Sequence, residues 1–426
     1  MFKTLANAWK IPDLKKKIVF TLIILLLYRL GSNIPVPFVN AFALQQTLGA
    51  LSGSIFDMLS GSGFTQAHLF ALSISPYITA QIVIQLLTVA IPALERLSKE
   101  GEEGRRKINK ITHILTVVLG FITAYGYYAL LRSNNLLTNN GTFAMWVMIA
   151  CYCAGASLVM WMADRINEFG IGNGVSLFLF VNILSSGYQT AATLFNQVAT
   201  GHPLKIFFAV LSVVIMLGVL LLIVFITNSE RRIPVQYAKR VVGRKMYGGQ
   251  SSNLPLKVNM SGVMPVIFAS SIVSLPSTIG MFTNPKGFWL DFVNFFAPGT
   301  WVYAVLELVL IVAFSYFYIS ISFNTVEVSN NLKKNGGFVP GIRPGRPTAD
   351  YIKNALNRVT LVGALFLVII AGLPMFVGMF ATTQELLGIL TFGGTSLLIV
   401  VGVALETIRE LESQMAMRHY KGFLGE

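Results

Sequence analysis

Ten runs of about twenty apolar residues, nearly free of charge, dominate this sequence, and no water-soluble fold buries so much apolar helix. They fall at 18–34, 73–91, 114–131, 143–162, 175–194, 206–227, 261–281, 302–323, 359–380 and 386–404. A hydrocarbon core of roughly 30 Å offers the backbone no water, so a stretch of this length satisfies its own hydrogen bonds as a helix. The composition agrees: 54% of the 426 residues are hydrophobic, 12% are charged, and the mean hydropathy is +0.67. The expected fold is an all-α membrane protein with ten transmembrane helices. Pro35 and Pro37 end the first run and no small-residue cleavage site closes it, so it is read as a retained span.

Orientation follows from the basic residues. Of the 32 Lys and Arg, only Arg29, Arg132, Lys205 and Lys286 fall outside the two termini and the even-numbered connections. Cells retain such loops in the cytoplasm, so both termini are expected there, in a multi-pass protein. Most of the formal charge of +14 is a consequence of this topology rather than a sign of nucleic acid. Loops 228–260 and 324–358 exceed that explanation, because each is far longer than a helix connection needs to be. Long basic loops meet partners, and ribosomal RNA or an acidic protein surface suits them electrostatically.

Five spans precede Lys205 and five follow it, and an odd number inverts the second set relative to the first. Residues 1–205 and 206–426 are therefore read as two antiparallel halves, with a functional path between them as in inverted-repeat transporters. The outer stretch 40–72 carries no Lys or Arg and is rich in Gly and Ser. A short helix within it is too short to span, and is either a re-entrant plug or an ordinary amphipathic loop helix. In loop 228–260 the β-branched, alternating stretch from Arg232 to Val242, followed by Gly243, reads as a protruding hairpin. In loop 324–358 the Gly and Pro residues from Asn335 to Gly345 imply a rigid, bent tip that presents Arg343 to a partner.

The spans lack chemistry. An ion-coupled small-solute transporter, the main alternative, keeps ionisable groups within its helices. Here Arg29 and Glu307 lie toward outer span ends and Glu406 near a cytoplasmic end, where snorkelling or pairing accounts for them; His113 is read as interfacial. Cys151 and Cys153 match no metal or redox spacing and are read as packing residues. Gly170-Ile171-Gly172-Asn173-Gly174 follows no strand and precedes a span, so it is a tight turn with close helix packing rather than a dinucleotide fingerprint. No catalytic residue, cofactor or metal is expected, and energy must come from a partner.

At this point a family resemblance enters. The chain resembles the SecY family of protein-conducting channel subunits through Ser75-Pro76-Tyr77-Ile78-Thr79-Ala80 with Gln85-Leu86-Leu87, Glu100-Gly101-Glu102 with Gly104-Arg105-Arg106-Lys107, and the Gly170–Gly174 turn. Tyr237-Ala238-Lys239-Arg240, Leu254-Pro255-Leu256-Lys257-Val258-Asn259, Asn331-Leu332-Lys333-Lys334, residues 338–345 and Phe392-Gly393-Gly394-Thr395-Ser396-Leu397-Leu398-Ile399 extend the match over nearly the whole chain.

The resemblance implies a clamshell of two pseudo-symmetric five-helix halves around an hourglass pore, passing unfolded secretory polypeptides across the membrane and membrane segments sideways into lipid. It places an aliphatic pore ring at Ile74, Ile78, Val175, Leu179, Ile267 and Ile399, two of which vary the usual isoleucine. The plug becomes Ser54, Ile55, Phe56, Asp57, Met58, Leu59, Ser60, Gly61, Ser62 and Gly63, and the lateral gate Thr79, Ser270 and Ser274. Lys239, Arg240, Arg244, Lys245 and Arg343 would dock the SecA ATPase or a ribosome, with SecE and SecG completing a heterotrimer in a bacterial inner membrane. Secretory preproteins, nascent membrane proteins and membrane lipids are the remaining partners implied.

Overall fold

The structure is a computed structural model, described over residues 7–40, 43–44, 60–61, 63–199, 203–237, 240–242, 245–247, 251–283, 287–297, 299–380 and 394–421. Ser54–Leu59 and Ser62 of the expected plug, and Lys239 and Arg244 of the expected docking set, lie outside these residues. Arg240 and Lys245 are described in backbone only.

The first half holds helices α1 (Pro12–Gly31), α2 (Ser75–Ala90), α3 (Pro92–Lys99), α4 (Glu102–Ser133), α5 (Thr142–Phe169) and α6 (Gly174–Ala199). Proline opens α1, α2 and α3, where its missing N–H costs nothing. At extended Ile91, before Pro92, the chain bends by 101° from α2 into the amphipathic α3.

The second half begins with α7 (Pro203–Asn228) and leaves the helical layer through β1 (Glu230–Tyr237), β2 (Arg240–Val242), β3 (Lys245–Tyr247) and β4 (Ser251–Lys257). Helices α8 (Met264–Val273), α9 (Leu275–Thr283), α10 (Phe288–Phe295), α11 (Trp301–Ser322) and α12 (Thr325–Lys334) follow, then β5 (Gly337–Phe338), α13 (Arg346–Phe380) and α14 (Thr395–Lys421).

Among the described residues, five helices are long and apolar enough to cross a bilayer unaided, and six if α2 and α3 count as one broken span. Of the other four expected runs, the fifth qualifies only as the shorter apolar stretch Gly174–Tyr188 of α6, and the rest differ for local reasons. Charges crowd both ends of α1 and the second half of α14, while the seventh run breaks at Ser274 into α8 and α9. The tenth run lies outside the described residues between 386 and 393. The solvent for these helices is lipid. Over Ala209–Asn228 the mean hydropathy is 3.3 yet only 11% of the window is buried, and Leu22, Ile23, Leu26, Leu27 and Leu30 of α1 are likewise exposed. Water would penalise such an apolar outer face heavily.

Contacts between the helices before residue 203 and those after it run along two seams. On one, α8 touches α2 and α9 packs on α4; on the other, α6 packs on α7 and α14. Beyond the helices β1 pairs antiparallel with β4 from Glu230 opposite Lys257 to Gln236 opposite Ser251, and β2 pairs with β3 as the hairpin tip. The hairpin reading is borne out. The second long loop, by contrast, is largely ordered as α12, β5 and the start of α13. Its β5 joins the free edge of β1, Gln236 opposite Phe338 and Tyr237 opposite Gly337, so both basic loops share one sheet in the order β4-β1-β5. Ile233, Leu256, Val339, Ile352 and Leu356 bury a small separate core beneath it.

Candidate functional site

Six aliphatic side chains from four helices are buried in one apolar cluster. Ile74 caps the start of α2 and Ile78 lies one turn in; Val175 and Leu179 open α6; Ile267 sits in the first turns of α8 and Ile399 in those of α14. All six are between 1% and 8% exposed within that cluster. Pro76 and Pro265, each in the first turn of its helix, fix where α2 and α8 begin and so where these side chains stand.

A cavity of about 430 Å³ adjoins the cluster, and Leu179, Ile267 and Ile399 line it. Its polar lining comes from the α5–α6 turn and the start of α6 (Asn173, Ser176), the chain ahead of α8 (Lys257, Asn259) and the middle of α14 (Glu406, Arg409). Burial at this wall, with Arg409 nearby, holds Lys257 below the usual lysine range against the pull of Glu230 and Glu406. The cavity is thus lined in part by mixed charge and in part by the aliphatic cluster. An aliphatic constriction, where a path narrows to one, excludes water and ions without binding what passes.

The glycine turn between α5 and α6 behaves as its sequence implies. Gly172 has φ +84, and a Cβ on Gly174 would stand 2.3 Å from the Ala163 carbonyl oxygen of α5. This close approach carries Val175 and Leu179 inward. The turn is also clasped from outside: Ile171 N–H donates to Thr21 Oγ1 (3.0 Å) in α1, and Gly172 N–H to Glu410 Oε2 (3.0 Å) in α14. Arg409 donates to the Thr227 carbonyl (3.0 Å) and Asn228 Oδ1 (2.7 Å) at the end of α7. The far part of α14 thus grips the α5–α6 turn and the end of α7 beside the cavity, a role no linear motif announces.

The remaining sequence-derived residues are placed as follows. Ser60, Gly61 and Gly63 are buried against the first half. Thr79, Ser270 and Ser274 lie on α2 and at the α8–α9 break; Thr79 and Ser270 bond carbonyls of their own helices, Ser75 and Ile267, both at 3.1 Å. Arg343 is exposed on a pinned turn, its carbonyl accepting from Thr348 Oγ1 (2.9 Å) while Ser329 Oγ donates to Gly345 O (2.7 Å). His113 does not simply sit at an interface; its Nε2 is 3.0 Å from Asp164 Oδ2. Glu307 corrects the expectation of snorkelling: it is 1% exposed, and the side chain that faces it is Tyr303, one turn earlier on the same helix. It lies in α11, which packs between α8 and α13 and turns this residue away from water.

Fold and site together define a multi-pass helical membrane protein whose helices bury a large apolar cluster beside a mixed-charge cavity. The SecY family model matches residues 68–408, and the chain belongs to that family. It is 43% identical over 443 residues to the protein translocase subunit SecY of Streptomyces coelicolor, covering 100% of both chains. It is 40% identical over 450 residues to that of Mycobacterium tuberculosis, again over 100% of both. Its fold is similar to a structure described as the plug domain of SecY stabilising the closed translocation channel, with TM-score 0.65 and 16% identity over 93% of this chain and 92% of that one. It is also similar to Sec61 in the canine ribosome–channel complex, with TM-score 0.61 and 16% identity over the same shares.

Proposed function

We propose that this chain is the protein-conducting channel subunit of a Sec translocase, passing unfolded secretory polypeptides across a membrane and releasing membrane segments sideways. It works as a passive channel driven by a partner. The observation that carries this reading is that Ile74, Ile78, Val175, Leu179, Ile267 and Ile399, from helices before and after residue 203, are all buried in one apolar cluster beside a cavity with a mixed-charge wall. A conduit for many different chains works best without specific polar contacts, because every site that binds one segment slows the next.

In this reading ten spans form two inverted halves, 1–205 and 206–426, that hinge as a clamshell. Residues 54–63 plug the resting channel, and the seam of α2 and α4 against α8, α9 and α11, around Thr79, Ser270 and Ser274, opens toward lipid. The sheet at the hairpin end faces the cytoplasm of a bacterial cell, as do both termini. Lys239, Arg240, Arg244, Lys245 and Arg343 there receive SecA or a ribosome, while SecE and SecG brace the clamshell. Support for a ribosome partner comes from the ribosome-bound relative in fold; support for one docking platform comes from the sheet that unites both basic loops.

The test is reconstitution of the purified complex with a motor ATPase in liposomes and a secretory precursor outside. ATP-dependent protection of the precursor from protease is expected. Uptake of small solutes without precursor protection would instead favour an inverted-repeat transporter.

A further inference from the structure

A closed ring of polar groups lies directly against the aliphatic constriction. Tyr28 of α1, Ser73 just ahead of α2 and Asn182 of α6 are each 0% exposed. The Tyr28 hydroxyl donates to Asn182 Oδ1 (2.9 Å), and Asn182 Nδ2 donates to Ser73 Oγ (3.1 Å). The Ser73 hydroxyl, 3.1 Å from the tyrosine oxygen, completes the circuit as donor, because the tyrosine proton is already committed. Apolar packing fixes the ring in place: Tyr28 stacks on Phe70 at 5.4 Å and meets Phe178 at 4.5 Å.

Two of its members touch the constriction through the backbone. Ser73 immediately precedes Ile74 and is held at φ +48, a conformation a serine keeps only when its surroundings impose it. Asn182 stands one helical turn beyond Leu179. The end of the expected plug rests on the same group. Gly61, at φ +62, approaches so closely that a Cβ there would be 2.9 Å from Asn182 Oδ1 and 3.3 Å from Arg29 Nη1.

We propose that Tyr28, Ser73 and Asn182 form a positioning latch that holds the constriction and the Gly61 end of the plug in the sealed arrangement, an inference that rests on the channel reading above. Polar groups suit this task better than more aliphatic packing. Their geometry is directional, so Ile74 and Leu179 keep one register, and breaking the circuit in a buried interior gives up hydrogen bonds that water is not there to replace. Water entering an opened channel pairs them again. The latch therefore resists opening while the constriction is dry and releases once it is wet.

Tyr28→Phe tests it, because the substitution removes the hydroxyl and leaves the stacked ring. Each lost hydrogen bond between membrane helices is worth roughly threefold, so losing two shifts the open-to-sealed ratio about tenfold. The purified complex in liposomes is expected to show about tenfold higher resting K⁺ flux, unchanged melting within a few degrees, and retained precursor translocation. Ser73→Ala is expected to act alike, and the double variant to exceed the larger single effect little, since both break one circuit. Ile78→Ala, measured alongside, separates the two claims. A leak from Ile78→Ala with none from Tyr28→Phe overturns the latch and leaves the channel intact; no leak from either overturns the latch and the aliphatic seal it is argued to hold; lower melting of Tyr28→Phe without leak makes the ring merely structural.

Discussion

Replacing Ile78 with alanine probes the seal itself. The change removes Cγ1, Cγ2 and Cδ1 from a side chain that is 5% exposed within the central cluster. At about 0.8 kcal/mol for each buried carbon, the sealed arrangement loses roughly 2.4 kcal/mol relative to an opened one that wets the whole side chain. That corresponds to about fifty-fold in the ratio of open to sealed channels, an upper value because an opened constriction still covers part of residue 78. The assay is K⁺ efflux from liposomes containing the purified complex, without motor or precursor. Leu221→Ala serves as control, since Leu221 is 68% exposed on the lipid-facing side of α7. Resting efflux is expected to rise by one to two orders of magnitude for Ile78→Ala and not for the control, with precursor translocation preserved. A folded, translocating Ile78→Ala complex with unchanged efflux would refute the claim that these aliphatics make the seal.

Three further outcomes follow from the geometry. Arg343→Glu reverses an exposed charge on a pinned turn, so stability is expected to change by no more than about 0.5 kcal/mol while motor-driven protection of a precursor is lost; normal protection would remove Arg343 from the docking surface. Glu410→Ala deletes the acceptor for Gly172 N–H, a charge-assisted bond worth about 1.5–3 kcal/mol before discounting for its partial exposure, and the melting temperature in detergent should fall by roughly 2–5 °C, with Glu410→Gln between. Burial, helped by Arg29 and opposed by a hydrogen bond at the Ser32 backbone, keeps the His68 imidazole below 6.5. The unfolded chain therefore binds the proton first, and stability should decline as pH falls from 6.5 through the lowered value, an effect that His68→Gln abolishes in melting curves taken between about pH 7.5 and pH 5.

The mostly helical, apolar character was legible in the sequence because lipid imposes one rule on every span, though among the described residues only five helices, or six with the bent pair, are long and apolar enough to cross unaided. The Gly170–Gly174 turn and the hairpin of loop 228–260 were legible for local reasons, glycine spacing and β-branched alternation. Contacts between distant residues were not. β5 has only Gly337 and Phe338 and no alternating pattern, so nothing local announced its pairing with Gln236 and Tyr237. The same holds for Glu410 against Gly172 and for Asn182 against Tyr28, where each residue alone reads as an ordinary helix position. Glu307 misled in the opposite way, since its place near a helix start suggested water while packing between α8 and α13 buried it. The aliphatic set itself was chosen by family resemblance, because isoleucines in apolar helices carry no individual signal.

The central claim is that a translocating polypeptide passes through the constriction between the halves. Photo-crosslinkers placed at Ile78 and Ile267, with Leu221 as the lipid-facing control, and a secretory precursor arrested midway through translocation test it most directly. Strong crosslinks at both inner positions that require the motor and ATP, with little at Leu221, are expected. Efficient translocation without crosslinks at either inner position would contradict the account and place the path elsewhere.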